Sequence, residues 1–430
     1  MRTAGSFIAS VILAAATAIA GPPVNLTVLG QVPLSGFMDG LFVHDNLAFL
    51  MQSTGGVRTV NIYDVSDPAN PALVGAKVSL PDSFADMHGI YYTNGLLFCG
   101  IQGGGGGGLV TLDVSDPAKP KQLSYLPVAG RVHDMRYAAG YLYLMMTDSG
   151  SDDFRVYDVS NPSLPVEVNK FNLSGSSYCH DVSFMDGIGY ASMWDAGVYT
   201  LDVSDPLNIK IINHSDPIAN LHSAWPTPDK KYVVSCQEQT NNTGGDKAGV
   251  RIWDVTAAMP ATYQQVGKYN QGMGSIVHDV MVVGNFAYVT YYGNGFYVLD
   301  ISDPANPVEV ASIITGTGCG GAYCDAISQW VEDGLVYLLD SSRGLFIIDF
   351  GRPHPTPITL YAVKSNGGQD VAVTWNHTGE SQYTMRRSLR KDTVGDNLTH
   401  DVDAETRWSD TGAVPDLNKL YFYKINGAWK

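Results

Sequence analysis

The chain has 430 residues, of which 45% are hydrophobic and only 16% charged, with 46 glycines and 24 tyrosines. A formal charge of −16 argues against nucleic acid or anionic lipid as partners, because both require a basic patch. Five cysteines (Cys99, Cys179, Cys236, Cys319 and Cys324) are too few and odd in number for a disulfide scaffold, although Cys319 and Cys324 could pair in an oxidising compartment.

Residues 1–20, ending Ala18-Ile19-Ala20 before Gly21-Pro22-Pro23, read as a secretory signal peptide: one Arg, then an apolar run from Phe7. That run is short of the roughly 18 residues a membrane span needs, and no second run of spanning length follows. The expectation is therefore an exported protein, extracellular or periplasmic, with no membrane span. Six N-x-S/T sequons (Asn25, Asn172, Asn213, Asn241, Asn376 and Asn397) are compatible with glycosylation in a eukaryotic source.

The segment NLTVLGQVPL reads as a strand without preceding partners. Seven versions of one motif follow it: VNIYDVSDPANP, LVTLDVSDPAKP, FRVYDVSNPSLP, VYTLDVSDPLNI, VRIWDVTAAMPA, FYVLDISDPANP and LFIIDFGRPHPT. Their aspartates are Asp64, Asp113, Asp158, Asp202, Asp254, Asp300 and Asp349, spaced 44 to 52 residues apart. Each unit reads as four strands. A first apolar strand follows a His-Asp pair, and a second carries an aromatic (Tyr143, Tyr190, Tyr232, Tyr288, Tyr337). A third ends in the motif aspartate, whose Ser-Asp-Pro turn leads to a β-branched fourth. Four short strands per period of roughly 45 residues predict a propeller blade. The seventh unit lacks a fourth strand, so the N-terminal segment can complete it and close a seven-bladed, all-β propeller over residues 21–352.

These LVxxDVSDPxxP units resemble the LVIVD repeat, a propeller-forming family of exported prokaryotic proteins. The resemblance implies the fold and little about chemistry. Residues 353–430 form a second region with alternating strands, an early Trp375 and a late Tyr421-x-Tyr423. It is similar to a fibronectin type III module, which predicts a small β-sandwich-like domain; an irregular β tail is the alternative.

Aligning the units on the first strand puts Met38, His88, His133, His180, His222, His278 and Cys324 in one column. Five of the chain's ten histidines fall there. The next column is Asp39, Gly89, Asp134, Asp181, Ser223, Asp279 and Asp325. First strands are innermost in a propeller, so the column becomes a ring at one channel mouth. Loops between second and third strands bring Gln52, Gln102, Asp148, Trp194, Asp195, Glu238, Tyr292 and Asp340 to the same face. Converging imidazoles suit Zn, Cu or Mn, and a Cys or Met biases toward Cu, with the carboxylates orienting the rings.

The leading expectation is a monomeric, ligand-binding or adhesion-type propeller holding a metal on that ring. Its ligand would be a small molecule, a carbohydrate or a protein, contacted by Asp134, Asp181, Asp279, Asp325, Trp194, Glu238 and Tyr292. The rival is a metal-dependent enzyme, since exported polysaccharide lyases and copper oxidases resemble this chain in placing His clusters at a propeller mouth. A third reading is a scaffold in which each imidazole merely donates to a neighbouring blade and each Asp caps backbone N–H groups. No G-x-S-x-G elbow, H-E-x-x-H, P-loop or dinucleotide fingerprint is present.

Overall fold

The computed structural model describes residues 26–80, 86–102, 107–147, 152–173, 178–239, 249–271, 276–316 and 325–351, and six strands beyond. At positions 39 and 86–88, and in those last strands, only the backbone is described.

Seven antiparallel sheets follow one another; six run from inner to outer strand in chain order, and the seventh takes its outer strand from the N-terminal segment. The inner strands are Phe37–His44, Asp86–Thr93, Val132–Ala138, Cys179–Met185, Leu221–Pro226, Val280–Val283 and Ala326–Glu332. Each packs against the next, and the seventh against the first, so they enclose a central channel. Second strands such as Leu96–Gln102 are buried almost throughout, because neighbouring blades cover both faces. Fourth strands such as Lys121–Val128 form the outer edge and are largely exposed.

Seven apolar clusters fill the seven seams between blades. Tyr143, Tyr190, Tyr288 and Tyr337 are buried in these seams, as are Phe49 and Phe98 at the same strand position. Each such ring contributes roughly 1.5–3 kcal/mol by leaving water. These four tyrosines are core, whereas Tyr232 begins its strand, two positions before the column, and is only partly buried.

The repeated motif is a turn device. In all seven blades the motif aspartate accepts a backbone N–H two residues on: Ser66, Ser115, Ser160, Ser204, Thr256, Ser302 and Gly351. The Ser115 and Ser204 hydroxyls, foremost at Asp113 and Asp202, and these backbone bonds hold the Asp64, Asp113, Asp158 and Asp202 carboxyls below the usual carboxylate range. The turn then serves the preceding blade. Ser124 Oγ donates to the Pro162 carbonyl at 3.0 Å, Asn169 Nδ2 to Pro206 at 2.9 Å and Asn213 Nδ2 to Ala257 at 2.7 Å.

The N-terminal strand closes the ring. Thr27–Pro33 pairs antiparallel with Gly344–Asp349, giving blade seven its fourth strand from the opposite end of the propeller sequence. In the tail, Leu360–Ser365, Asp370–Trp375 and Arg407–Asp410 form one three-stranded sheet. Gln382–Ser388, Asp396–Asn397 and Phe422–Ala428 form another. The signal-peptide reading, residues 103–106, Asp148, Cys319 and Cys324 lie outside the described residues.

Closure rests on backbone contact at Gly344, whose φ is +98° and where a Cβ would lie 2.0 Å from the Val32 carbonyl oxygen. Gly55 also has positive φ but an added Cβ there meets nothing within 4 Å. Gly55→Ala should cost about 1–2 kcal/mol of left-handed strain. Gly344→Ala should cost about 2–5 kcal/mol, because overpacking adds to that strain. Chemical unfolding of the two variants checks this; equal losses would mean the closing strand is not held at this contact.

Candidate functional site

The first strands of blades three, four, five and seven carry a β-bulge at their start, between Val132 and Asp134, Cys179 and Asp181, Leu221 and Ser223, and Ala326 and Ser328. The bulged residues are His133, His180, His222 and Ile327. A bulge re-aims a side chain, here toward the axis. In blades one and two the irregularity falls between Met38 and Leu41 and between Met87 and Ile90. The observed ring positions are thus Asp39, His88, His133, His180, His222, His278 and Ile327, with Gly40, Gly89, Asp134, Asp181, Ser223, Asp279 and Ser328 following.

This corrects the register in two blades. Met38 pairs with Gln52 and is fully buried in the seam between blades one and seven, so it is a core residue. Cys324 falls three residues ahead of the ring position Ile327, and its side chain lies outside the described residues, as does that of His88. Asp325 is likewise displaced from the carboxylate column. It is buried beside the strand end, its N–H bonded to Ser341 Oγ at 3.0 Å, while Ser342 Oγ donates to its Oδ1 at 3.3 Å. Counting back from the first hairpin turn, His44–Leu47 in blade one and Glu332–Leu335 in blade seven, gives both positions.

Four imidazoles do come together. Ring centroids are 4.3 Å apart for His133–His180, 4.0 Å for His180–His222 and 4.0 Å for His222–His278. Nitrogens of His133, His180 and His222 all lie within 4.8 Å of one another. Trp194 stacks on the His180 ring at 5.0 Å and on Tyr178 at 5.6 Å. Tyr292 packs on His278 at 4.4 Å and its hydroxyl donates to Glu238 at 2.6 Å. A carboxylate–phenol couple able to hold or pass a proton therefore borders the imidazoles.

Hydrogen bonds orient two of the rings. His278 Nδ1 bonds to the Ile327 carbonyl of the next blade. A carbonyl only accepts, so Nδ1 carries a proton, which in the neutral tautomer leaves the lone pair on Nε2. His133 Nδ1 faces Gln102 Oε1 at 2.8 Å, with the same consequence when it donates. The architectural role and the ligand role fall on different nitrogens of one ring.

The aspartates of the next column cap the bulge. Asp134, Asp181 and Asp279 accept the backbone N–H of Met135, Val182 and Val280 at 2.7, 2.7 and 2.8 Å. They also surround Arg136, a cation the column analysis passed over because it occurs in only one unit. Arg136 Nη1 lies 2.6 Å from Asp134 and Nη2 2.9 Å from Asp181. Burial works against the guanidinium charge, but Asp134, Asp181 and Asp279 outweigh it and hold the group charged. Burial pushes the Asp181 carboxyl up to about 8 and raises Asp279 as well, with Arg136 opposing in both. Cys99, Cys179 and Cys236 are free and buried, and burial raises their thiols, so they are not ligands at the mouth.

Below the ring the channel holds a cavity of about 560 Å³. His133, His180, His222, His278, the three aspartates, Arg136, Glu238 and Tyr292 line it, and aromatic residues line the far end. Trp194 and Asp325 are not on its wall. Gln52 and Asp340 are tied into structural networks, Gln52 to Ser35, Asn61 and Lys77 and Asp340 to Thr315 and Ser342.

Comparison with known proteins agrees with the architecture. The LVIVD repeat family matches residues 59–77, 103–125, 129–172 and 274–315, so the chain carries LVIVD repeats. Similar solved structures include the β-propeller domain of Myceliophteria thermophila Cps50 (Swd1), at 11% identity and TM-score 0.52, covering 74% of this chain and 98% of that one. The WD40 β-propeller domain of Doa1 gives 12% identity and TM-score 0.51, covering 75% and 97%. A chain of the mitotic checkpoint complex gives 11% and 0.50, covering 80% and 98%. At such identity the likeness concerns the fold alone. No curated protein matches the chain in sequence.

Arg136 is the structural test of this site. Replacing it with Met leaves Asp134 and Asp181 facing each other with no cation, which should cost about 3–5 kcal/mol in chemical unfolding. Arg136→Met/Asp181→Asn should recover a large part of that loss; no recovery would show that the arginine acts by packing rather than charge.

Proposed function

We propose that this chain is a ligand-binding β-propeller that holds one transition-metal ion, Cu, Zn or Mn, on His133, His180 and His222 at the channel mouth. One observation carries the reading: three imidazole nitrogens from three successive blades lie within 4.8 Å of one another. Three nitrogens on one ion at about 2.1 Å sit about 3.4 Å apart, so side-chain rotation alone suffices. No thioether or thiolate joins them among the described residues, which removes the sequence-based bias toward Cu. The ion would act as a Lewis acid or bridge to a ligand in the cavity, with Glu238 and Tyr292 at its edge.

The wider setting belongs to the same proposal. The N-terminal leader composition supports export. Two separate sheets in the tail, with the first, second and fifth strands in one, support a fibronectin-like sandwich that presents the propeller.

Elemental analysis of the purified, untagged protein tests the metal. About one equivalent of Cu, Zn or Mn per chain is expected, and none in a folded His180→Ala variant. Gln102→Leu, which leaves all three ligands but frees the His133 ring, should weaken metal affinity roughly 10-fold or more. A protein that carries no metal and takes none up on addition rejects the proposal.

A further inference from the structure

The channel is chemically lopsided. On the side of blades three and four, Arg136 satisfies Asp134 and Asp181. On the side of blade six, Asp279 accepts the Val280 N–H and has no ion pair among the described residues. Next to it in the ring, Gln329 of blade seven lines the same cavity, 4% exposed, and neither its Oε1 nor its Nε2 has a hydrogen-bond partner. The corresponding position is Leu41, Ile90, Met135, Val182, Ala224 or Val280 in the other blades, so the repeat itself does not demand an amide there. A buried amide without partners costs about 1–3 kcal/mol, a cost that a bound ligand would relieve.

The adjacent wall is aromatic. Phe42 and Trp330 pack with ring centroids 4.2 Å apart, and Phe42 continues to Tyr91 at 4.8 Å. All three line the cavity, and Trp330 and Tyr91 are only partly buried. Aromatic faces beside a carboxylate that makes no direct salt bridge favour a cation with an apolar body. The guanidinium lining the cavity is already paired with Asp134 and Asp181, so an anionic ligand gains little from it.

We propose that the channel binds a small organic monocation, an aryl amine or amidine, with its charged head between Asp279 and Gln329 and its ring against Phe42 and Trp330. This rests on the channel being a ligand chamber but not on the metal, since neither Asp279 nor Gln329 belongs to the three-imidazole set. The cavity, at about 560 Å³, accommodates a molecule of that size.

The test is calorimetric titration of the full chain, freed of metal by chelation, with benzamidine and benzylamine as probes. Benzamide is the neutral control and benzoate the anionic one. Benzamidine should bind at least tenfold more tightly than benzamide, and benzoate should show no binding. Asp279→Asn keeps the acceptor for the Val280 N–H and should weaken benzamidine at least fivefold. Gln329→Leu removes the unpartnered amide, so it should melt at a higher temperature yet also bind benzamidine at least fivefold more weakly. Equal affinity for benzamide, no binding of either cation at millimolar concentration, or unchanged affinity in both variants would each overturn the proposal. Loss of metal binding in the earlier experiment would leave these results untouched, so the two ideas fail separately.

Discussion

A ring of sheets is stable only if it has no free seam, and here one antiparallel strand pair carries that constraint. Thr27–Pro33 lies against Gly344–Asp349, joining residues more than three hundred positions apart. Without it blade seven would present an unpaired edge, and the seam holding Met38, Val32 and Ile327 would open. The inner strands meet around one axis only because the circle is complete. Everything the channel does depends on that pairing.

Given closure, a local defect builds the site. Bulges at the start of the first strands of blades three, four and five turn His133, His180 and His222 toward the axis, and Asp134 and Asp181, next in the chain, cap the following backbone N–H. The His-Asp pair is therefore both device and functional group. The aspartate is spent largely on backbone, and at His133 and His278 the Nδ1 atom serves the fold through Gln102 and the Ile327 carbonyl. At those two rings the architectural reading and the ligand reading describe different atoms.

The channel shows how a repeat protein acquires a directed interior. Identical blades would give a symmetric pore, and the departures from symmetry create its polarity. Arg136 occurs once and neutralises two carboxylates on one side. Gly40 and Gly89 stand where other blades carry Asp or Ser; at Gly89 a Cβ would come within 2.9 Å of the Asp134 backbone. The acidic wall therefore belongs to blades three, four and six. The rings of Phe42, Tyr91 and Trp330 line the same cavity, where the first strands run on past the ring position.

Much of this was legible in the linear sequence because repetition is itself spatial information. Seven versions of one Asp-containing turn motif at near-constant spacing imply seven four-stranded blades, and an orphan strand at one end with a missing one at the other implies closure. The aromatic column and the capping role of the motif aspartates follow from strand period and turn chemistry. The ring of histidines followed as a column. Its register in blades one and seven did not, because a bulge adds a residue without any mark in composition; Met38 therefore went to the core. Arg136 and Gln329 were invisible to column reasoning, since each occurs in one blade alone and matters only for what faces it across the axis. The sequence by itself determined the repeat, the fold and which residue types line the channel. Only the tertiary structure decided which side chains meet, because those partners lie on different blades and are brought together by closing the ring.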